Sequence, residues 1–292
     1  TTLFRSRRLY HLRNSMYRGH NKSPPGRLLG RTGQKVMKYD LHIHSEYCGH
    51  APGMDTESIL AAAEQKGLEF IAITDHIFSP QSLPRIRKIA DEVKSLKDKY
   101  RLNVIVGAEV DVDPEWTDGR LVLDNKDLDG LDYIIAAIHY IPHKLGKHGV
   151  MAQQRVDPQR LIELWRSTLL GLTKNSKINT IAHPGRMVGV NVDLDAHFDD
   201  IKAVCEEAAR QTAENNISWK INELNGARIP KVFWDRWHLL YQAAVSKGAK
   251  MVYGSDAHSP EDIGKCDFAN FLIEKLDSQK LPGPVDMGLI QN

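Results

Sequence analysis

Seven apolar runs alternate with helical patterns along this 292-residue chain, and six of the runs end in a histidine or a carboxylate. The runs are Lys38–His44, Leu68–Thr74, Asn103–Ala108, Tyr133–Ile138, Ile178–Ala182, Ser218–Ile221 and Lys250–Tyr253. Leu68–Thr74 (LEFIAIT) is almost continuously apolar, the pattern of a strand buried on both faces. Strands that alternate with helices make a parallel sheet with crossover helices. The polar residues at their C-terminal ends are His42 and His44, His76, Glu109, His139, His183, and Asp256 with His258. In an open sheet such ends spread along an edge and few can meet. In a closed β/α barrel they all converge on one mouth. The pattern therefore predicts an α/β fold, a seven-stranded TIM-like (β/α)7 barrel.

Between the runs, Asp55 is placed to cap a helix reaching Gly67, with Ile59, Leu60 and Ala63 inward. Further helices are predicted over Leu83–Tyr100, from Asp157-Pro158, over Ala196–Asn215, over Lys231–Lys247 and directly after a Ser259-Pro260 cap. Asp118-Gly119 predicts a hairpin turn between Glu115–Thr117 and Leu121–Leu123. The excursions over 112–131 and 140–157 break the rhythm and are where substrate choice is expected to be set.

The densest polar stretch is Asp40–His50 (DLHIHSEYCGH). His42 and His44 are two apart and share one face of a strand, and His50 follows on a loop. Packing a core requires no such set of imidazoles, whereas a metal ion does. The nine candidates are His42, His44, His50, His76, Glu109, His139, His183, Asp256 and His258. A mononuclear catalytic zinc uses three protein ligands and an open position. Nine suit two to three divalent ions, and nitrogen and oxygen donors without thiolate fit Zn, Mn or Fe. Cys48 lies near these residues and is read as a packing residue or one that supports the ligands from behind, and His143, His148, His197 and His238 match no strand end.

Composition narrows the classes. Three scattered cysteines, Cys48, Cys205 and Cys266, indicate no disulfide framework. No apolar run approaches the ~20 residues of a membrane span, and no signal-peptide core is present, so a cytoplasmic enzyme is expected. Of 39 basic side chains, nine lie in residues 1–36, which hold no acid; the other 30 face 37 acidic ones, a net of −7. An acidic body without a basic stripe disfavours a long nucleic acid. Residues 1–36 could be read as a nucleic-acid arm or transit peptide, but without apolar periodicity they are expected to be a disordered, non-native leader. Met37 then opens a single catalytic domain over 37–292.

Taken together these residues resemble the PHP (polymerase and histidinol phosphatase) family. His42 and His44 in H-I-H, Asp75 and His76 in D-H, His183 in I-A-H-P-G-R, and Asp256 and His258 in S-D-A-H match its four motifs, and His50, Glu109 and His139 match its intervening ligands. The resemblance covers 37–270 and implies a distorted seven-stranded barrel with a trinuclear metal cluster. It implies one ion on His42, His44, Glu109 and Asp256. Glu109 would bridge to a second ion with His139 and His183, and His50, His76 and His258 would hold the third. It also implies hydrolysis of the phosphate monoester of a small metabolite, histidinol phosphate being one candidate, with Glu109, Asp256 and His258 as catalytic residues. Ions a few Å apart lower the pKa of a shared water from about 15.7 to about 7 and neutralise phosphoryl charge. Arg186, next to the His183 motif, and Arg228, in I-N-E-L-N-G-A-R, are the candidate phosphate-binding residues. The segment around Arg228 is similar to one in PHP-type histidinol phosphatases, whereas H-P-G-R resembles shorter PHP phosphatases. The alternative is a phosphodiesterase or exonuclease acting on short nucleic acids. The complete ligand set disfavours a non-catalytic metal module.

Overall fold

The computed structural model describes residues 37–142, 150–151, 154–276, 281 and 283–289. The expected leader over 1–36, and His143 and His148, lie outside the described residues.

The first strand, β1 (Tyr39–Ile43), is buried along its whole length. Helix α1 (Thr56–Gln65) begins where the cap predicts: Asp55 accepts a hydrogen bond from Ser58 N at 2.9 Å, and Ile59, Leu60 and Ala63 turn inward. The second apolar run forms β2 (Phe70–Ile73) and, after Thr74-Asp75, the two-residue β3 (His76–Ile77). Each fully buried Ile or Phe in such a strand contributes about 1.5–3 kcal/mol. Helix α2 (Leu83–Leu96) covers this layer through Ile86 and Ile89.

The third predicted run is interrupted. It forms β4 (Asn103–Val106) and β5 (Ala108–Asp111), separated by Gly107. A Cβ at Gly107 would lie 2.1 Å from Tyr133 O, the carbonyl that accepts from Ala108 N at 2.9 Å. The break is therefore a close approach of two backbones, and only glycine permits it.

The remaining elements are α3 (Asn125–Leu128), β6 (Ile134–Ala137), the antiparallel pair β7 (Tyr140–Ile141) and β8 (Val150–Met151), α4 (Pro158–Leu172), β9 (Thr180–Ile181), α5 (Arg186–Asn191), α6 (Phe198–Glu214), β10 (Ser218–Asn222), α7 (Glu223–Arg228), α8 (Trp234–Ser246), β11 (Lys250–Gly254) and α9 (Asp267–Lys275). Asp157 caps α4 through Arg160 N, with Pro158 in the first turn.

The fold is α/β with parallel sheets. One sheet has the order β1-β2-β4 and the other β11-β10-β9-β6-β5-β3. The chain carries the first sheet into the second at β2–β3 and at β4–β5. On the other side, Ile43 bridges Ala257 in parallel, His44 N donates to Ala257 O at 3.0 Å, and Asp256 N donates to His42 O at 2.8 Å. Buried Asp40 strengthens this junction by accepting from Ser255 N at 2.8 Å and Gly264 N at 3.0 Å. The neighbour relations pass from β1 through β2/β3, β4/β5, β6, β9, β10 and β11 and return to β1. A closed seven-stranded barrel requires this order.

Two expectations are corrected. Ser259-Pro260 opens a turn, with Ser259 Oγ donating to Asp262 Oδ2 at 2.9 Å, and the last helix starts only at Asp267. The arms around Asp118-Gly119 are 111–113 and 120–122, since Asp113 N donates to Arg120 O and Val122 N to Asp111 O. The pairing is set by the end of β5 and falls short of the 115–117 segment.

Gly107→Ala is expected to destabilise the protein by about 1–3 kcal/mol through overpacking. Gly130→Ala, where the nearest atom to an added Cβ is 3.7 Å away, is expected to stay within about 0.5 kcal/mol. Urea unfolding of the two variants checks both.

Candidate metal centre

The structure brings all nine predicted residues to one place, at the C-terminal ends of the strands. His42 lies in β1 and His44 just beyond it, His76 opens β3, Glu109 is in β5, and His139 and His183 follow β6 and β9. Asp256 and His258 follow β11, and His50 comes from the loop after β1. Two of these positions carry a positive φ without being glycine: His183 at 28° and Asp256 at 61°. Such backbone costs about 1–3 kcal/mol per residue and persists only where the surroundings impose it.

Glu109 is the hub and is fully buried. Its Oε1 lies 3.0 Å from His183 Nε2 and 3.8 Å from His139 Nε2. Its Oε2 lies 2.7 Å from His76 Nδ1, 3.4 Å from His42 Nε2 and 3.6 Å from His44 Nε2. Asp256 Oδ1 lies 3.0 Å from His44 Nε2 and 3.7 Å from both His42 Nε2 and His258 Nδ1. His50 is exposed, yet its ring centroid is 5.0 Å from that of His76 and 4.7 Å from that of His258.

Several of these contacts are poor as hydrogen bonds and good as ligand geometry. His76 Nδ1 and Glu109 Oε2 are close, but both remain without a hydrogen-bond partner, as does His44 Nδ1. The Nε2 atoms of His42 and His44 face each other at 2.8 Å. Buried polar atoms left unpaired are costly, and a shared cation relieves that cost. Three sets, His42/His44/Glu109, His76/Glu109/His139 and His44/His76/His258, each place one donor atom per residue within 4.8 Å of the others. The donor types and their convergence fit divalent metal ions. A further set, His44/Cys48/Asp75, includes a half-buried thiol that burial pushes up to about 11.

The electrostatics separate the candidate ligands. Burial alone would raise the carboxyl of Glu109, but the charges of His42, His76 and His139 outweigh it and hold it well below the usual range. Asp256 is held low in the same way, against burial, by His42 and His44. Burial pushes His183 down to about 4, and burial with the nearby His76 pushes His44 well below its ordinary value. His42 goes the other way: burial opposes its charge, but Glu109 and Asp256 lift it to about 9.

Of the two arginines, Arg186 is half-buried at the start of α5, and its charge acts on both His139 and His183. Arg228 is exposed in the last turn of α7. Sequence reasoning missed three supporting residues, Asp111, Asn222 and Lys220, and gave Asp75 of the D-H motif no role of its own. Asp111 accepts from His139 N and is 2.8 Å from His139 Nδ1. Asp75 accepts from Ser45 N at 2.5 Å and from Ser45 Oγ at 2.7 Å. Asn222 Nδ2 donates to Asp256 Oδ2 at 2.8 Å, and the buried Lys220 amine is hydrogen-bonded to His42 Nδ1. Asp111 and Glu109 are two apart on one strand face, a spacing that could have found it.

The model of the PHP domain matches residues 40–223. The chain belongs to the PHP family. The matched segment ends before Asp256 and His258, so only the geometry above joins these two to the other candidate ligands. A probable phosphatase of Clostridium acetobutylicum is 27% identical over 248 residues, 84% of this chain and 89% of that protein. A probable histidinol-phosphatase of Deinococcus radiodurans is 26% identical over 244 residues, 77% of this chain and 88% of that protein. Among solved structures, the histidinol phosphate phosphatase of Lactococcus lactis, in complex with Zn, L-histidinol and phosphate, superposes with a TM-score of 0.61 at 19% identity. That superposition covers 84% of this chain and 95% of that one, and shows a shared fold. Among the described residues, no helix is long and apolar enough to cross a membrane.

A metal ion must displace the proton that Glu109 and Asp256 hold on His42 up to about pH 9. Below that pH, apparent Zn2+ affinity is therefore expected to rise with pH, by up to about tenfold per unit, as read by competition with a chelator between pH 6 and 8. Glu109→Ala and Asp256→Ala are each expected to lose at least one bound ion by elemental analysis.

Proposed function

We propose that this PHP protein is a metal-dependent phosphatase that hydrolyses the phosphate monoester of a small metabolite. The observation that carries this reading is the convergence of nine metal-capable side chains around one buried carboxylate, Glu109. The reading assigns His42, His44, Glu109 and Asp256 to one ion. Glu109, His139 and His183 take a second, and His50, His76 and His258 a third, with Zn, Mn or Fe as the candidate metals. The three compact donor sets support multiple ions, and the 2.7 Å approach of His76 to Glu109 also draws His76 toward the bridging carboxylate. The names of the bacterial relatives and the zinc, L-histidinol and phosphate of the Lactococcus lactis structure support the same chemistry.

Divalent ions in this centre would supply Lewis acidity and activate water for in-line attack on phosphorus. The chain's own groups do the rest. Asp256, kept ionised by His42 and His44, would hold an ion through Oδ1. His258, whose Nδ1 is fixed 2.8 Å from Asp256 O, lines the partly open side of the centre. Arg186 binds a phosphoryl oxygen beside His139 and His183, and Arg228, on the exposed end of α7, is the weaker phosphate-binding candidate. The three cysteines, none in a disulfide among the described residues, support a cytoplasmic setting. Net −7 over residues 37–292 supports a small phosphorylated substrate over a long polyanion.

Purified protein with Mn2+ or Zn2+ is expected to hydrolyse an aryl phosphate monoester and to lose that activity with chelator. Cleavage confined to bis-aryl diesters or oligonucleotides would sink the monoesterase reading. A panel of histidinol phosphate with sugar and nucleotide monophosphates identifies the substrate. Arg186→Ala is expected to raise KM roughly tenfold, about 1.4 kcal/mol of charge-assisted phosphate binding.

A further inference from the structure

Six strand positions carry candidate ligands at their ends; the carboxylate after β10, Glu223, instead accepts from Phe268 N and Ala269 N. The β10 residues Lys220 and Asn222 are two apart and share one face of the strand. Each reaches a ligand of a different strand. Asn222 Nδ2 holds Asp256 Oδ2 at 2.8 Å, and Lys220 Nζ meets Nδ1 of His42.

Lys220 is an unusual core residue. It is 0% exposed and among the largest fully buried side chains. Lysine is almost never fully buried unless paired. Among the described residues Lys220 makes no ion pair, and its amine meets the imidazole of His42. An amine buried without a carboxylate partner costs stability, and an apolar side chain of the same volume is often neutral or stabilising in such a place. The surrounding structure nevertheless makes room for it. A Cβ at Gly254 on neighbouring β11 would lie 3.0 Å from Lys220 Cδ and 2.7 Å from His42 Cβ. Tyr241 Oη donates to Lys220 O at 3.0 Å and holds the strand in position.

The contact has a consequence for His42. For Nε2 to take a metal, Nδ1 keeps its proton and donates it to the Lys220 amine, which must then be uncharged and accept. The free edge of the ring is Nε2, which lies 2.8 Å from His44 Nε2, 3.4 Å from Glu109 and 3.7 Å from Asp256. Metal-bound histidines are oriented through the ring nitrogen that does not touch the metal, and losing that partner typically costs 10- to 100-fold in metal affinity. We propose that Lys220 is a positioning residue of the metal centre, holding the His42 imidazole so that Nε2 faces the space between Glu109 and Asp256. The proposal rests on the reading of His42 as a metal ligand.

The test compares the full chain with Lys220→Met, which keeps the buried stem and removes the amine. Zn2+ is titrated into metal-free protein against a chromogenic chelator, and the visible spectrum of Co2+-loaded protein is recorded. The Met variant is expected to bind one ion roughly 10- to 100-fold more weakly, with shifted Co2+ bands. Its metal-free melting temperature is expected at or above that of wild type. Lys220→Gln, which keeps a polar end at shorter reach, is expected to fall between the two. Wild-type Zn2+ affinity and Co2+ spectrum in both variants would overturn the proposal. So would unaltered affinity with a lower metal-free melting temperature, which would make Lys220 a packing residue. Absence of Zn2+ binding by the wild-type chain would instead remove the metal-centre reading itself, and this proposal with it.

Discussion

A single buried carboxylate organises this molecule. Glu109 has no access to solvent, and the partners around it in the described residues are imidazoles carried by four other strand positions. Burial works against its charge, and the histidines reverse that effect. The arrangement holds only if the ends of β1, β3, β5, β6 and β9 meet at one depth. The parallel register His76 to Glu109 and Glu109 to Ile135 sets that depth through backbone hydrogen bonds. Gly107 contributes by letting Tyr133 O approach just before Glu109.

Much of this was legible in the amino-acid order because two simple periodicities carried it. Apolar runs such as FIAI and IIAA marked strands, and the histidine beyond each of these, His76 and His139, marked the mouth. Asp55 and Asp157 identified helix starts because a cap is a local interaction. Other features are set by tertiary contact and left no local trace. The β2–β3 and β4–β5 breaks depend on neighbours far away in sequence, and a two-residue strand has no period to detect. The start of α9 was misplaced because Ser259-Pro260 suits a turn as well as a helix cap, and the Asp262 side chain closes that turn.

The supporting residues show the same limit. Within S-W-K-I, Lys220 reads as the polar member of an alternating strand and would be placed in water. In the structure its side chain points at His42, because both faces of β10 are covered. Asp111 could have been recovered from its spacing to Glu109, but nothing in the sequence says which histidine it meets. The positive φ at His183 and Asp256 is likewise invisible in a sequence where neither residue is glycine. Both are candidate ligand positions just past a strand end.

Where β11 meets β1 there is no regular ladder among the described residues, only a bridge at Ile43–Ala257 and a few backbone bonds beside it. The residues bordering this junction are His42 and His44 on one side and Asp256 and His258 on the other. An ion gripped from both sides would act as a clasp between segments more than 200 residues apart, closing a loop as a crosslink does and removing much of the conformational freedom of the unfolded chain. The centre would then do for this fold what a long-range disulfide does for a secreted one, and the seam of the ring would be as firm as its metal supply.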